Sequence, residues 1–409
     1  MKIIGYNSSH ETSLCQFDTE TWDIDFLYEE ERFRRVKYWT PSDKEGQLLC
    51  IERKKIETPD HLIGCSFDRR RWVWQFNKDE IEFQKIIQRR LLDELSKEQL
   101  SSQRIKELVL QEKPYFYEPN KILEIIDTGI ESNDPHVPNT HPMHTQCDDV
   151  LIGQVADQLD LEEFHYEIQH HMYHAECGYW FSPWREKENA IAIAMDGGGC
   201  HKYSEQGYPN FQEVETIFLC QPKTKPTRQW GRLSNYRWIT DMNENKALYN
   251  MQRGQIIKAP DKIETFDGAE CLFNSYPSQG MNFSALSMFF GFDKLGRAAG
   301  KVMGAASYQP WEEHEDGYID YSTYALGNLL QQKSFEYTCN IIQRAIDLNP
   351  DVPNIILSGG FALNCTNNAK YLERFPKHQI FIDPVAHDGG TAVGAAIRLG
   401  RALLEGEDV

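Results

Sequence analysis

Three histidines stand close together in the sequence His170-His171-Met172-Tyr173-His174. On a helix, His170 and His174 lie one turn apart on the same face, so their imidazoles can hold one metal ion. The motif is not the metalloprotease motif HExxH, because His171 stands where that motif has a glutamate. A hydrogen-bonded histidine cluster explains the same spacing without a metal. A metal would need a third, acidic ligand from elsewhere in the chain.

Two glycine-rich turns each follow an apolar run of strand length. Asp196-Gly197-Gly198-Gly199 comes after Ala190–Met195, and Ser358-Gly359-Gly360 comes after Ile355-Ile356-Leu357. Glycines let backbone N–H groups approach a phosphate, and an aspartate can hold a cation or a hydroxyl. Plain tight turns are the alternative interpretation of both.

Two further polar positions follow apolar runs. Asp388, in Asp388-Gly389-Gly390, precedes a small-residue helix and is a candidate ligand carboxylate, although a helix N-cap explains it equally well. His10 lies in the turn after the first apolar run and is a candidate general base, with a surface-loop histidine as the alternative.

Hydrophobic periodicity predicts the elements that position these residues. Strand–glycine turn–helix units place the glycine loops at strand ends, where α/β folds bind ligands. The predicted strands are residues 1–6, the hairpin 12–17 and 22–28, 190–195, 355–357 and 380–382, with hairpins and loops over 203–258. The predicted helices are 79–112, 149–159, 170–181, 284–292, 327–347, 367–374 and 389–404.

Length and composition restrict the class of protein. The 409 residues suggest two or three domains or one two-lobed unit, and 40% hydrophobic residues exclude wholesale disorder. No run approaches the roughly 18 apolar residues of a membrane span. A secretory signal is not visible, and ten cysteines without a CxxC pair favour reduced thiols. We therefore expect a cytoplasmic protein, or one of the host-cell cytoplasm if it is phage-encoded.

The net charge of −19 argues on average against a nucleic-acid partner, but the charge is unevenly distributed. Residues 223–258 hold eight basic residues against two acids, a net +6, which leaves −25 for the rest. Residues 69–90 hold seven basic residues against three acids, and tryptophans accompany both segments. Basic residues neutralise phosphates and aromatic rings stack on bases, so these segments suit a nucleic acid. Ordinary cation–π or interface structure is the alternative.

In this order and spacing, the motifs resemble the O-carbamoyltransferase family, which includes nodulation-type carbamoyltransferases and those that modify antibiotics such as tobramycin. The resemblance spans the chain except for roughly residues 40–160 and 203–280. The matching stretches are Glu29-Glu30-Glu31-Arg32-Phe33, His170-His171-Met172-Tyr173-His174-Ala175, Asp196-Gly197, Gly300-Lys301-Val302-Met303-Gly304, Ser358-Gly359-Gly360-Phe361-Ala362-Leu363-Asn364 and Asp388-Gly389-Gly390.

The resemblance implies an α/β fold of the actin and heat-shock-chaperone type, with two lobes built on ribonuclease-H-like cores. We expect lobe I over residues 1–188 with an insertion at about 40–150. Lobe II is expected over 189–409, with a basic aromatic insertion at about 203–280.

The resemblance also implies site residues. The family's metal, typically iron, maps to His170, His174 and Asp388, and the histidine near its carbamoyl group maps to His10. Donor or nucleotide contacts map to Asp196, Gly197, Gly198, Gly199, Lys301, Gly359, Gly360 and Asn364.

In the family, carbamoyl phosphate is activated as carbamoyl-adenylate before the carbamoyl group passes to an alcohol. A second, YrdC-like domain makes the adenylate, and no such segment is found in the 409 residues. The alternatives are that this chain performs both steps, that a partner supplies the adenylate, or that carbamoyl phosphate is used directly. The need for ATP therefore stays open.

The expected acceptor is a hydroxyl compound, and hydroxymethylcytosine in phage-type DNA would explain the basic aromatic segments. The candidate acceptor contacts are Arg228, Trp230, Arg232, Arg237 and Trp238. Alternatives are a sugar or antibiotic-like alcohol, a threonylcarbamoyl tRNA-modification enzyme, and a non-catalytic actin-like nucleotide-binding scaffold. A homo-oligomer is compatible with the sequence, and a membrane partner is not expected.

Overall fold

A computed structural model gives the architecture over much of the chain. It describes residues 1–9, 11–37, 39, 41, 47–65, 149–167, 169–199, 201–203, 209–234, 269–274, 278–290, 292, 298–311 and 323–407. The predicted helix 79–112 lies outside the described residues.

The first sheet has five strands in the order β3-β2-β1-β4-β5. β1 to β3 form an antiparallel meander, and β4 and β5 add to it in parallel. Alternating apolar residues with a polar turn produce the hairpin where the sequence predicts it. The strands are β1 (Lys2–Asn7), β2 (Ser13–Asp18), β3 (Asp23–Glu29), β4 (His61–Gly64) and β5 (His165–Tyr166).

The second sheet follows the order β10-β9-β8-β6-β11-β12, with β7 paired to β8. Its run β9-β8-β6-β11-β12 repeats the first sheet's pattern, because an antiparallel meander is again extended by two parallel strands. The strands are β6 (Ala190–Met195), β7 (His201–Tyr203), β8 (Pro209–Cys220), β9 (Thr227–Ser234), β10 (Glu270–Asn274), β11 (Asn354–Ser358) and β12 (Gln379–Ile382). The described chain is therefore a mixed α/β structure with two sheets.

Nine α-helices accompany the sheets in the described ranges. They are α1 (Glu30–Arg34), α2 (Leu49–Lys54), α3 (Asp149–Gln158), α4 (His170–Phe181), α5 (Gln279–Phe289), α6 (Ala299–Ala305), α7 (Thr323–Leu348), α8 (Cys365–Arg374) and α9 (Thr391–Glu405). Two short 3₁₀ helices, Gly360–Leu363 and Asp388–Gly390, precede α8 and α9. No helix in the described ranges has the length and apolar character needed to cross a membrane.

Helices α4 and α9 pack against each other between the two sheets. α9 lies on β1, β2 and β4, and α4 lies on β6, β8 and β11. Alanines 190, 192 and 194 of β6 face α4, so the helix approaches the sheet closely. The predicted second lobe, 189–409, thus ends in a helix that packs on the first sheet.

Glycines at three contacts allow this close packing. A Cβ on Gly394 of α9 would overlap the Tyr173 backbone of α4, and one on Gly5 of β1 would overlap the Ala392 carbonyl. On the other side, a Cβ on Gly178 would stand 2.7 Å from Ile356 Cγ2. The interior has no space for even one added methyl group at these points.

Both predicted insertions contain strands of the sheets. β4 lies within 40–150 and pairs with β1, and β8 and β9 lie within 203–280 and pair in the second sheet. The described strands of these segments therefore belong to the two sheets, and the bounds of the insertions stay a prediction. The sequence analysis did not predict β4, a strand of four residues.

We predict that Gly394→Ala destabilises the protein by about 2–3 kcal/mol, because the new methyl group must displace the backbone of Tyr173. Gly304→Ala is the matched control, because nothing lies within 4 Å of a Cβ added there, also in a helix. We expect it to raise stability by about 0.5–1 kcal/mol. Urea unfolding followed by circular dichroism measures both changes, and equal midpoints would contradict the close-packing argument.

Candidate functional site

Four buried side chains of types that can bind a metal converge where α4 begins. His170 Nε2 lies 3.2 Å from His174 Nε2, as their spacing of one helical turn predicts. Asp196, just after β6, places Oδ2 3.1 Å from His170 Nε2. Asp388 Oδ1 lies 3.5 Å from His170 Nε2 and 3.9 Å from His174 Nε2. One ligand atom from each of the four residues lies within 4.8 Å of the others.

The electrostatics of this cluster give the two histidines opposite pKa shifts. Burial acts to lower the pKa of His170, but hydrogen bonds to Asp196 and Asp388 outweigh it and raise the pKa to about 10. Burial and the charge of His170 lower the pKa of His174 to about 3. One imidazole thus holds a proton between two carboxylates while the other stays neutral. A divalent cation would replace that proton with a charge that matches both carboxylates.

The donor set fits a divalent transition metal. Ligand atoms about 2.1 Å from an ion and at right angles lie about 3 Å apart, close to the shortest separations of this cluster. Two imidazoles with carboxylates suit zinc, nickel or non-haem iron rather than calcium or magnesium. The Nε2 atoms of His170 and His174 lie 3.2 Å apart, and two lone pairs at this distance repel each other unless a proton or a cation lies between them.

The turn after β1 holds Asp388 through backbone contacts. Asn7 Nδ2 donates to the Asp388 carbonyl over 3.0 Å, and Ser13 Oγ donates to the Gly389 carbonyl over 2.8 Å. The Asp388 amide donates to Glu11 Oε2 over 2.9 Å. Elements of the first sheet therefore fix a carboxylate that faces residues of the second.

The two glycine loops lie side by side because β6 and β11 are parallel neighbours. The Gly360 amide donates to Asp196 Oδ1 over 3.2 Å, which orients that carboxylate. Gly359 has φ +85°, and a Cβ there would overlap the Met195 carbonyl, so glycine is required. The loops Asp196–Gly199 and Gly359–Gly360 thus adjoin the four-residue cluster, as their predicted role requires.

Two predicted donor contacts are used elsewhere in the fold. Asn364 accepts from the Asn367 amide as the N-cap of α8, and it accepts from Gln331 Nε2 over 2.7 Å. Lys301 is exposed and donates to the Phe292 carbonyl over 3.4 Å. The described contacts link neither side chain to the cluster. His10 lies outside the described residues, and its role stays a prediction.

The described part of the predicted acceptor surface is buried. Arg232 is 0% exposed and donates to Glu215 from Nε over 2.6 Å, and Arg228 donates to Glu213 over 2.8 Å. Trp230 is also 0% exposed and belongs to the core of the second sheet. The two arginines form buried ion pairs and Trp230 packs in the core, so the structure gives no support to their interpretation as acceptor contacts. Arg237 and Trp238 lie outside the described residues.

A second buried network lies behind the cluster and was not anticipated. His171 Nδ1 lies 2.8 Å from Thr216 Oγ1, and Thr216 Oγ1 donates to Glu213 Oε1 over 2.8 Å. Burial lowers the pKa of His171. Among the described residues, Nε2 of this ring has no hydrogen-bond partner.

The sequence placed Asp196 in a glycine loop that could bind a phosphate, with an aspartate able to hold a cation or a hydroxyl, and it named the other three residues of the cluster as metal ligands. Its position directly after a buried strand was the available signal for a ligand. Asn7, Glu11 and Thr216 were not identified, because their roles depend on contacts between distant segments.

Part of the chain matches a known family. Residues 330–397 match the carbamoyltransferase N-terminus family, so a segment of this type runs from within α7 to within α9. The segment includes Gly359, Gly360 and Asp388.

Two curated proteins are similar to parts of the chain. Nodulation protein NolNO of Sinorhizobium fredii is 42% identical over 52 residues, 13% of this chain and 8% of that protein. The uncharacterized protein sll1178 of Synechocystis is 26% identical over 243 residues, 58% of this chain and 37% of that protein. The chain thus spans well under half the length of the curated relatives that it matches.

Solved structures give distant similarities. Full-length HypF in its phosphate- and nucleotide-bound form has a TM-score of 0.39 at 18% identity, covering 66% of this chain and 47% of HypF. A ROK family protein from Streptococcus pneumoniae, in complex with sucrose, has a TM-score of 0.37 at 9% identity and 99% coverage of both chains. These similarities are too distant to assign the fold, and the actin-like two-lobed arrangement stays a prediction.

We predict about one divalent metal ion per purified chain, and at least about 100-fold weaker binding in His174→Ala and Asp196→Asn, because each loses one ligand. Asp383→Asn is the matched control. Asp383 is also buried, but its carboxylate accepts from Ser358 and the Val385 amide instead of joining the cluster. Metal analysis and competition with a chelator measure the effect. Wild-type affinity in His174→Ala would contradict the metal centre.

We predict that Arg232→Met destabilises the protein by about 3–5 kcal/mol, because Glu215 is left as a buried unpaired charge. Replacing Glu215 by Leu in the same variant should recover much of the loss. Exposed Lys225→Met should change stability by less than about 0.5 kcal/mol. Thermal unfolding compares them, and a stable Arg232→Met variant would argue for a surface role instead.

Proposed function

We propose that this chain, which carries a carbamoyltransferase N-terminal segment, is a metal-dependent O-carbamoyltransferase. The observation that carries the proposal is the convergence of His170, His174, Asp196 and Asp388 beside two glycine loops. Asp388 and one of these loops lie inside the family-matched segment 330–397. A scaffold that only binds nucleotides has no need for two imidazoles facing two carboxylates.

The proposed reaction passes a carbamoyl group from carbamoyl phosphate to a hydroxyl acceptor. The acceptor oxygen forms a bond to the carbamoyl carbon, and the bond from that carbon to the phosphate oxygen breaks. Phosphate leaves with the electron pair, and the hydroxyl proton passes to a base. If the donor is carbamoyl-adenylate, AMP leaves instead.

We propose that the metal is divalent iron, held by His170, His174 and Asp388 with Asp196 as a fourth candidate ligand. When bound, it would polarise the donor and orient it as a Lewis acid. Gly360 supports the centre by donating its amide to Asp196 Oδ1 over 3.2 Å. Glycines in the loops at the strand ends would let backbone N–H groups approach the donor's phosphate beside these ligands.

His10 is the proposed base, or the group that positions the carbamoyl. Support comes from its neighbours in the chain, because Glu11 accepts from the Asp388 amide over 2.9 Å and Ser9 accepts from Asn7. Asn7 Nδ2 reaches Ser9 Oγ over 2.9 Å and the Asp388 carbonyl over 3.0 Å. A hydroxyl is a weak nucleophile, so a base near the metal is needed at neutral pH.

The acceptor class is proposed only as a hydroxyl compound. Hydroxymethylcytosine in DNA was favoured by basic aromatic composition, but Arg228, Trp230 and Arg232 are buried and give it no support. Sugars and antibiotic-like alcohols must therefore be tested as acceptors together with hydroxymethylcytosine DNA.

The test incubates the iron-loaded chain with carbamoyl phosphate and a panel of alcohols, with and without ATP, and uses mass spectrometry to detect an added carbamoyl group. We expect product with at least one acceptor, and a fall of at least about 100-fold in His174→Ala and in His10→Ala. The ATP arm shows whether an adenylate is needed, and chemically made carbamoyl-adenylate bypasses that step.

Asp383→Asn is again the control and should keep its activity. No carbamoyl product from either donor, with metal bound and an acceptor panel that includes hydroxymethylcytosine DNA, would count against the proposal.

A further inference from the structure

A buried hydrogen-bond chain fixes the tautomer of His171. Glu213 Oε1 accepts from Arg228 over 2.8 Å, so its carboxylate is ionised and can only accept hydrogen bonds. Thr216 therefore donates its one hydroxyl proton to Glu213 Oε1, over 2.8 Å. The Thr216 oxygen must then accept from His171, whose Nδ1 lies 2.8 Å away. The proton of the neutral ring is consequently on Nδ1, and Nε2 presents a lone pair.

The ring edge that carries this lone pair lies against the glycine loop beside the four-residue cluster. A Cβ on Gly199 would stand 2.6 Å from His171 Cδ2 and 2.7 Å from Nε2, so the loop passes close to that edge. The ring is 0% exposed, and Nε2 has no partner among the described residues. A buried unpaired acceptor costs about 1–3 kcal/mol, which a ligand's N–H or O–H group would recover.

The position of the ring restricts which ligand group it can meet. Its centroid lies 6.0 Å from that of His170 and 6.5 Å from that of His174, beside the cluster but outside its ligand set. A phosphate dianion has no proton to donate to Nε2. The amino group of a carbamoyl donor does have N–H bonds, and it lies next to the carbonyl that the metal would polarise.

We propose that His171 Nε2 accepts a hydrogen bond from the carbamoyl NH₂ and so selects carbamoyl over acyl donors. This inference rests on the proposed function and specifies which chemical group the site recognises. Thr216 is a positioning residue, because it acts through the His171 tautomer. Gly199 contributes by having no side chain, since any Cβ would meet the ring.

Acetyl phosphate is the discriminating probe, because it has a methyl group where carbamoyl phosphate has NH₂. Sites built around a buried hydrogen-bond partner reject analogues that lack it by large factors, on the order of 10⁴. The measured quantity is the ratio of kcat/KM for carbamoyl phosphate to that for acetyl phosphate. If the chain accepts neither phosphate as a donor, carbamoyl-adenylate and acetyl-adenylate provide the same comparison.

We expect His171→Phe to lower that ratio by about 100-fold or more, mainly through loss of carbamoyl transfer. Thr216→Val should lower it by about 10-fold, because the Nδ1–H tautomer is no longer enforced. Thr216→Ser keeps the hydroxyl and should restore the wild-type ratio. Metal content should stay at the wild-type level in all three variants, which separates recognition from loss of the centre.

An unchanged ratio in His171→Phe and Thr216→Val, with the wild type active, would overturn the inference and leave the proposed function intact. If the wild-type chain transfers a carbamoyl group from neither carbamoyl phosphate nor carbamoyl-adenylate, both this inference and the proposed function are overturned. If His171→Phe fails to fold, the comparison of Thr216→Val with Thr216→Ser decides alone. In that pair, equal ratios would refute the proposal.

Discussion

The contact between α4 and α9 determines where three of the four candidate ligands lie. His170 and His174 stand on the first turns of α4, and Asp388 directly precedes α9. Gly394 lets the two helices touch at Tyr173, because any Cβ there would overlap the α4 backbone. A buried ion pair adds to this contact, since Arg401 Nε donates to Glu176 Oε1 over 2.7 Å. If these helices moved apart, a carboxylate would leave its imidazoles.

The two helices also bind the sheets to each other. α4 precedes the second sheet in the chain yet packs on it, and α9 follows that sheet yet packs on the first. The order of strands in both sheets is the same over five positions. The site lies where α4 and the loops after β6 and β11 meet the segment that precedes α9.

Local pattern was sufficient for the helix and the strand that position most of the cluster, but it did not predict β4, β5, α1 and α2. The helix His170–Phe181 and the strand Ala190–Met195 have the predicted bounds, because Ser182-Pro183 ends the first and an unbroken apolar run defines the second. Asp196 differs, since its role as a possible ligand depends on Asp388, which is almost two hundred residues away. Composition did not indicate that Arg232 is buried, because a sequence does not reveal that Glu215 pairs with it on a neighbouring strand.

The same cross-strand pairing explains why the basic residues of β9 are inside. β8 carries Glu213 and Glu215, and β9 carries Arg228 and Arg232, so opposite charges meet on adjacent antiparallel strands. Glu213 also accepts from Thr216, so successive hydrogen bonds connect Arg228 to His171, which lies beside the four-residue cluster. Removing Arg228 would free the Glu213 carboxylate to hold a proton, and the tautomer of His171 would no longer be determined. The buried arginine is therefore part of the site's electrostatics although it touches no ligand.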